Sequence, residues 1–246
     1  MSLPVHLVAS LAGVTPGDVV AVTGDEAHHA VAVRRLRVGE RLQLTDGRGS
    51  RAVGVVASTD KRLLEVTIES AEVLVRAEPA VTVVQALPKG DRGELAVEVL
   101  TEIGVDTIVP WAASRSVAVW KGERVARSLE RWRSTAREAA KQSRRAWFPE
   151  VVDLATLPVA VSLVAEVEVL LVLHEEASEA LTSVDVSAAR SLGVVVGPEG
   201  GLTPEEVAAF VAVGGRAVRL GPEVLRTSTA GLAAVAAVLS RTGRWR

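Results

Sequence analysis

Two patterns of apolar positions divide the chain. Up to about residue 75 the apolar residues come in short runs, at Val19–Val22, Arg41–Thr45, Ala52–Ala57 and Leu63–Ile68, with Asp46-Gly47 as a turn signal between two of them. Short strands at this spacing predict a small barrel or sandwich. One helix is predicted among them, starting near Asp25, carrying His28, His29, Val31, Val33 and Leu36, and ending before Val38-Gly39. Arg76-Ala77-Glu78-Pro79 reads as a linker. From residue 80 strands alternate with helices: strands at Ala80–Leu87, Thr107–Trp111, Val167–Leu173, Leu192–Val196 and Ala217–Leu220, and helices from Asp91 to about Ile103 and from about Gly122 to Arg145, with a further helix after each of the last two strands. Such alternation predicts an α/β fold, a mainly parallel sheet covered by helices on both faces. The expected division is a β domain over 1–75 and an α/β domain over 76–246.

Open α/β sheets bind ligands just beyond the carboxyl ends of their strands, and the last two strands end in related loops. The first runs Gly197-Pro198-Glu199-Gly200-Gly201-Leu202 into Thr203-Pro204-Glu205-Glu206, and the second runs Leu220-Gly221-Pro222-Glu223-Val224-Leu225-Arg226-Thr227-Ser228. Thr203 to Glu206 is a capping box with proline at the first helical position, which is structural. The three glycines before it let a ligand approach the backbone. A phosphate cradle would carry lysine or arginine, whereas this loop carries only Glu199, so the expected ligand is neutral or cationic, such as an adenosine bearing a positive centre. A tight turn without a ligand is the plain alternative. Arg226 stands just before a helix expected to begin near Ser228 or Thr229, where the helix dipole disfavours a cation. Either an anion from outside or a salt bridge to Glu223 would compensate. His174, at the end of its strand, could line the same pocket or serve only as a loop residue. Lys89-Gly90-Asp91-Arg92 also follows a strand end, with Asp91 as an expected N-cap and Lys89 and Arg92 either facing a substrate or forming a solvated turn.

Charge adds a second theme. The formal net charge is only −2, but residues 121–145 hold nine basic against three acidic side chains and residues 34–51 hold six against two, with arginine far outnumbering lysine. The helix positives fall close to three- and four-residue spacing, so phosphate contact competes evenly with a solvated face. Trp120, Trp132 and Trp147 accompany this helix and are read as packing residues. The chain has no cysteine, and its four histidines lack ligand spacing, which argues against a metal site. No apolar run approaches the length needed to span a bilayer, and the Met1-Ser2-Leu3-Pro4 start carries no signal segment, so a cytoplasmic protein is expected.

Six motifs in order resemble the RsmE family of bacterial RNA methyltransferases in the SPOUT superfamily. They are His28-His29 with Arg35, Lys89-Gly90-Asp91-Arg92, Thr101-Glu102-Ile103-Gly104-Val105, Glu138-Ala139 with Gln142-Ser143, Gly197 to Leu202, and Leu220-Gly221 with Leu225-Arg226-Thr227. The resemblance covers nearly the whole chain. It implies an N-terminal PUA-like β-barrel for RNA and a C-terminal SPOUT-type parallel sheet whose end forms a trefoil knot. It also implies S-adenosylmethionine held mainly by backbone around Leu173 and His174, around Val196, Gly197, Pro198, Glu199, Gly200 and Gly201, and around Leu220, Gly221, Val224, Leu225, Arg226 and Thr227. The implied reaction is methylation of N3 of a uridine in 16S ribosomal RNA by a homodimer, with the assembled small ribosomal subunit as a candidate substrate. Arg226 is the candidate catalytic residue. His29, Arg34, Arg35, Lys89, Arg92, Arg131 and Arg145 are candidates for RNA contact. The sequence departs from the family pattern at Ser228, commonly glutamate, and at Val99, commonly lysine. A ribose 2′-O methyltransferase and a non-catalytic RNA-binding protein remain the rival readings.

Overall fold

The computed structural model describes residues 3–245, and they form two compact units, one comprising residues up to Arg76 together with Ala140–Phe148, the other Ala77–Ala139 and Pro149 onward. The return of 140–148 to the first unit is a feature that the expected single cut at 75/76 does not contain. Among the described residues no helix is long and apolar enough to cross a membrane.

The first unit is built on five strands, β1 (Val5–Leu7), β2 (Val19–Thr23), β3 (Arg41–Thr45), β4 (Ser50–Asp60) and β5 (Leu63–Val73). Their hydrogen-bonded order is β1-β3-β4-β5-β2, with β1 parallel to β3 and the other pairs antiparallel. Among the described residues β1 and β2 are edges not bonded to one another, so the expected barrel is present as a mixed sheet. Alternate residues Leu42, Leu44, Ala52, Val56, Leu64, Val66 and Ile68 point to one side and are fully buried, the period-two pattern that drives a one-sided sheet to fold. The predicted helix from Asp25 is broken. An α-turn, α1 (Gly24–His28), passes into a π-helical turn at His29–Val33, and Arg35 then takes a left-handed φ of 57°. Apolar spacing read as one regular helix therefore continues three residues too far, because it does not register a change of helical pitch.

Residues 140–148 bind this unit through backbone and charge. Gly49 N–H donates to Ala146 O and Phe148 N–H to Gly47 O, both at 2.9 Å. The Trp147 indole N–H donates to Leu74 O at 2.8 Å and its ring carries the Arg76 guanidinium at 4.6 Å, which fits its packing role. Beneath them Lys141 Nζ and His6 Nδ1 both donate to Glu26, at 3.0 Å each for the closer oxygens.

The second unit is a six-stranded all-parallel sheet. Its strands are β6 (Ala80–Ala86), β7 (Thr107–Trp111), β8 (Glu150–Val151), β9 (Val169–Leu173), β10 (Ser191–Val196) and β11 (Arg216–Val218), in the order β11-β9-β10-β6-β7-β8. Side chains alternate between two cores. Val81, Val83, Ile108, Leu171, Leu192, Val194 and Val196 face helices α2 (Arg92–Ile103), α3 (Glu123–Gln142, in this unit as far as Ala139) and α6 (Thr227–Leu239). Val84, Ala86, Val109, Trp111, Leu170, Val172 and Val195 face α4 (Leu157–Val164) and α5 (Pro204–Ala212). A strand buried on both faces reads as a continuous apolar run, which is why β9 and β10 were legible. The two-residue β8 and the short α4 carry too little periodicity to announce themselves.

α6 is fixed at both ends. Near its start Gln85 Nε2, buried, donates to Thr227 O at 3.2 Å and to Ala86 O at 3.0 Å. In its middle Gly231 allows close packing, since a side chain there would put Cβ 3.1 Å from Leu100 Cδ2 and 3.3 Å from Val196 Cγ2. Beyond its end the Arg244 guanidinium donates to Pro79 O (2.7 Å), Gly104 O (2.6 Å) and both oxygens of Asp106 (2.7 and 3.3 Å).

Burial alone would raise the Glu26 pKa, but the hydrogen bonds from His6 and Lys141 and the charge of Lys141 outweigh it and hold the carboxyl at about 2, against an ordinary 4.5. A depressed folded-state pKa adds stability above the unfolded value and loses it as pH falls through the folded one. Acid titration of the unfolding free energy is therefore expected to show a loss between about pH 4.5 and pH 2 that Glu26→Gln flattens. An unchanged slope in that variant would remove Glu26 from the account.

Candidate active site

Because all six strands are parallel, the loops after β6, β7, β9, β10 and β11 emerge at one edge of the sheet. β10 is inserted between β9 and β6, so the order of strands reverses beside it, which is where open α/β sheets bind their ligands. Both glycine-containing loops leave from this edge.

The loop after β10 has almost no side chains with which to fix itself. Gly201 N–H closes a turn onto Pro198 O at 2.9 Å, and the remaining restraints come from neighbouring segments or from the carboxylates of Glu199 and Glu206. Trp111, buried at the end of β7, donates its indole N–H to Val196 O at 3.3 Å. Arg115, four residues on, donates from Nη1 to Gly200 O at 3.2 Å and Leu202 O at 3.4 Å. Glycine is required at 200 for this contact, since a Cβ would lie 2.9 Å from Arg115 Cβ and 3.1 Å from its carbonyl oxygen. Glu199 accepts from Lys89 N–H at 3.0 Å and so joins the loop after β6 to the loop after β10. That is loop hydrogen bonding through Oε1.

The capping box forms as the sequence predicts. Thr203 Oγ1 accepts from Glu206 N–H at 3.2 Å, while Glu206 Oε2 accepts from Thr203 N–H at 2.9 Å. Glu206 does more than cap, because its other oxygen accepts from Ser114 N–H at 2.7 Å and the residue is 1% exposed. One buried carboxylate thus joins α5 to the segment after β7.

The second loop is open. Pro222 to Arg226 are exposed, among them the apolar Val224 (76%) and Leu225 (41%), while Leu220 and Gly221 are half-buried. Arg226 is the N-cap residue of α6, with extended backbone, and Thr229 and Ala230 donate their N–H groups to its carbonyl. Among the described residues its guanidinium has no carboxylate partner, so the alternative of a salt bridge to Glu223 is not formed. A cation stands at the positive end of a 13-residue helix without compensation from the protein. α6 starts at Thr227, one residue earlier than anticipated, and Thr227 and Ser228 are buried. Leu173 and His174 are half-buried at the end of β9. His174 N–H donates to Val218 O at 3.0 Å, and its Nδ1 accepts from Glu176 N–H at 3.2 Å, so that nitrogen is spent locally.

The proposed RNA-contact residues fall into two groups. Lys89, Arg92, Arg34 and Arg35 are exposed, Arg92 as the first residue of α2 and Arg34 and Arg35 directly after the π-turn. Asp91 occupies the N-cap position of α2 but makes no side-chain cap bond. The other three are partly occupied. Arg131 pairs with Glu94 at 3.3 Å, Arg145 Nε donates to Trp147 O at 2.9 Å, and His29 is half-buried with Nδ1 buried and its ring 6.4 Å from that of His6. Trp111, Ser114, Arg115 and Gln85 are the site residues that sequence reasoning passed over. The one available signal was an arginine just past a strand's carboxyl end, the same position that singled out Lys89.

The all-parallel sheet with its glycine-containing loops at the carboxyl edge, in a chain that also holds a small mixed β unit, belongs to the RNA methyltransferase class: residues 76–239 match the RNA methyltransferase domain family and residues 22–69 the RNA methyltransferase PUA domain family. More narrowly, the chain belongs to the ribosomal RNA small subunit methyltransferase E family. The Mycobacterium bovis member is 48% identical over 234 residues, 93% of this chain and 89% of the relative, and the Bacillus subtilis member is 32% identical over 90% of each. A solved structure of the Neisseria gonorrhoeae member bound to S-adenosylmethionine superposes with a TM-score of 0.85 at 26% identity, covering 97% of this chain and 98% of that one.

Glu206 generates a test of the site's framework. Removing it costs the α5 cap and leaves Ser114 N–H without its acceptor, so Glu206→Ala is expected to lower the unfolding free energy by about 2 to 3 kcal/mol. Glu206→Gln keeps one acceptor oxygen but sets its amide donor against the other N–H, so it should also cost at least about 1 kcal/mol in the same urea titration. Wild-type stability in either variant would contradict a role resting on two accepted N–H groups.

Proposed function

We propose that this chain transfers a methyl group from S-adenosylmethionine to N3 of a uridine in 16S ribosomal RNA. The observation that carries the reading is the loop Gly197–Leu202 at the carboxyl edge of the sheet, held by Trp111, Arg115 and Lys89 from neighbouring segments. Its chemistry fits the cofactor. The loop itself carries one carboxylate and no basic side chain, the Arg115 guanidinium donates through Nη1 to its carbonyls, and Val224 and Leu225 offer exposed apolar surface to a flat ring. When bound, the cofactor supplies an electrophilic methyl group on a sulfonium centre. Leu173, His174, Val196 to Gly201 and Leu220 to Thr227 are proposed to hold it, mainly through backbone groups.

The protein's part in the reaction is to favour loss of the uridine N3 proton. The charge left on the base spreads to the flanking carbonyl oxygens, and a fixed cation at that position stabilises it. Arg226 is proposed for that role, since it has no carboxylate partner among the described residues and is reinforced by the α6 dipole. Lys89, Arg92, Arg34 and Arg35 are proposed to bind phosphate. The small β unit is proposed to read RNA shape. The trefoil knot belongs to the same reading. It is supported by the strand order around β10 and by α6 packing on β6, β10 and α2 after the chain has bonded Arg219 to Glu179 and Leu181. A cytoplasmic homodimer acting on the assembled small subunit completes the proposal.

The test is a comparison of modified nucleotides in 16S ribosomal RNA from cells with and without this protein. Loss of a single N3-methyluridine is expected. Loss of a ribose 2′-O methyl group, or no change, would overturn the reading. With purified protein, Arg226→Ala should lower turnover about 100-fold while S-adenosylmethionine affinity changes by less than about threefold. Parallel losses of turnover and affinity would assign Arg226 to cofactor binding instead.

A further inference from the structure

Arg115 differs from every other cation at the carboxyl edge in having one nitrogen committed and the others uncommitted. Its Nη1 reaches Gly200 O and Leu202 O, and its own backbone lies against Gly200. A guanidinium carries five N–H donors in a rigid fork. Among the described residues Nε and Nη2 meet no protein acceptor, and the side chain is exposed. The nearest negative influence is Glu205, whose carboxyl is held below its usual range first by its own backbone N–H, then by Thr203, and only weakly by Arg115. Both of those charges stand in water, which screens them.

We propose that Arg115 is a positioning residue that couples RNA binding to cofactor binding: Nη1 holds the Gly200–Leu202 backbone in its cofactor-binding form, and Nε and Nη2 take an RNA phosphate. The proposal rests on the methyltransferase reading above. Its physical content is that a phosphate on the outer side of the fork removes the rotational freedom of the side chain. The loop carbonyls then keep their donor for a larger share of the time. A bond that is ordered by one ligand and needed by the other gives the two ligands a shared free energy, and the effect is reciprocal.

The experiment is equilibrium dialysis of labelled S-adenosylhomocysteine, the unreactive product, against the full chain, alone and with small ribosomal subunits from cells lacking this protein. In the wild type the subunits should tighten cofactor binding about fivefold or more. In Arg115→Ala, binding without subunits should weaken about fivefold or more, and the subunits should no longer tighten it. Gly200→Ala is the second variant, because its Cβ displaces Arg115 while leaving the charge in place, and it should weaken cofactor binding in the same way. Thermal melting of each variant separates these effects from loss of fold. Cofactor binding within twofold of wild type in Arg115→Ala would overturn the loop-holding half. Tightening by subunits that survives in Arg115→Ala, or is missing from the wild type, would overturn the coupling while leaving the methyltransferase reading intact. Failure of the wild type to bind the cofactor at all would overturn that reading, and this proposal with it.

Discussion

A loop made of glycine, proline and one glutamate is conformationally expensive to hold, since its glycines lose more freedom on folding than any other residue. The rest of the site depends on how that cost is met. Here the restraints come from two neighbouring strand ends. The segment after β7 contributes Trp111, Ser114 and Arg115, and the segment after β6 contributes the Lys89 N–H. Each bond is modest, on the order of 1 kcal/mol net. Their effect lies in number, because several bonds from the β6 and β7 strand ends fix one short loop.

The second wall of the crevice is organised differently. Val224 to Arg226 make few bonds of their own, so their position is inherited from α6. That helix is held at its first turn by Gln85, pressed close at Gly231, and secured past its last turn by Arg244 on Asp106, Gly104 and Pro79. The Arg244 bonds lie at the amino ends of β6 and β7, and Arg226 lies at the opposite edge of the same sheet. A rigid helix of 13 residues, about 20 Å long, connects the two. An exposed arginine can therefore have a defined base position without any side-chain partner, which is what a cation that meets its counter-charge only in the substrate requires.

Most of the second unit was legible in the sequence because its strands are buried on both faces and its helices follow glycine-bearing turns. The capping box at Thr203 and the strand runs before Gly197 and Gly221 are local signals, and local signals survive into the structure. What was not legible is set by tertiary choices. The π-turn at His29–Val33 interrupts the predicted helix, and apolar spacing carries no signal for such a change of pitch. The return of 140–148 to the first unit depends on pairs such as Lys141 with Glu26, 115 residues apart, for which no periodicity exists. Arg115 escaped notice because its partners are backbone carbonyls on a loop 85 residues away. The proposed knot has no counterpart in the pattern of residues and rests on family resemblance.

The same tertiary choices correct the reading of the basic segments. For the nine positive charges over residues 121–145 phosphate contact competed evenly with a solvated face, and several are instead bonded within the protein: Arg133 to Val151 O and Asp153, Lys141 to Glu26, Arg131 to Glu94 and Arg145 to Trp147 O. Lys141 is buried, and releasing it would strand the Glu26 carboxylate, so that charge is unavailable to RNA. The exposed Arg131 pair is weak and could exchange Glu94 for a phosphate at little cost. Lys121, Arg124, Arg127 and Arg144 of the same segment are exposed and have no carboxylate partner among the described residues, as is true of Lys89, Arg92, Arg115 and Arg226 at the sheet edge and of Arg34 and Arg35 on the small unit. The segment therefore divides into charges spent inside the protein and charges left on its surface, and only the second set is open to a phosphate without breaking an internal bond.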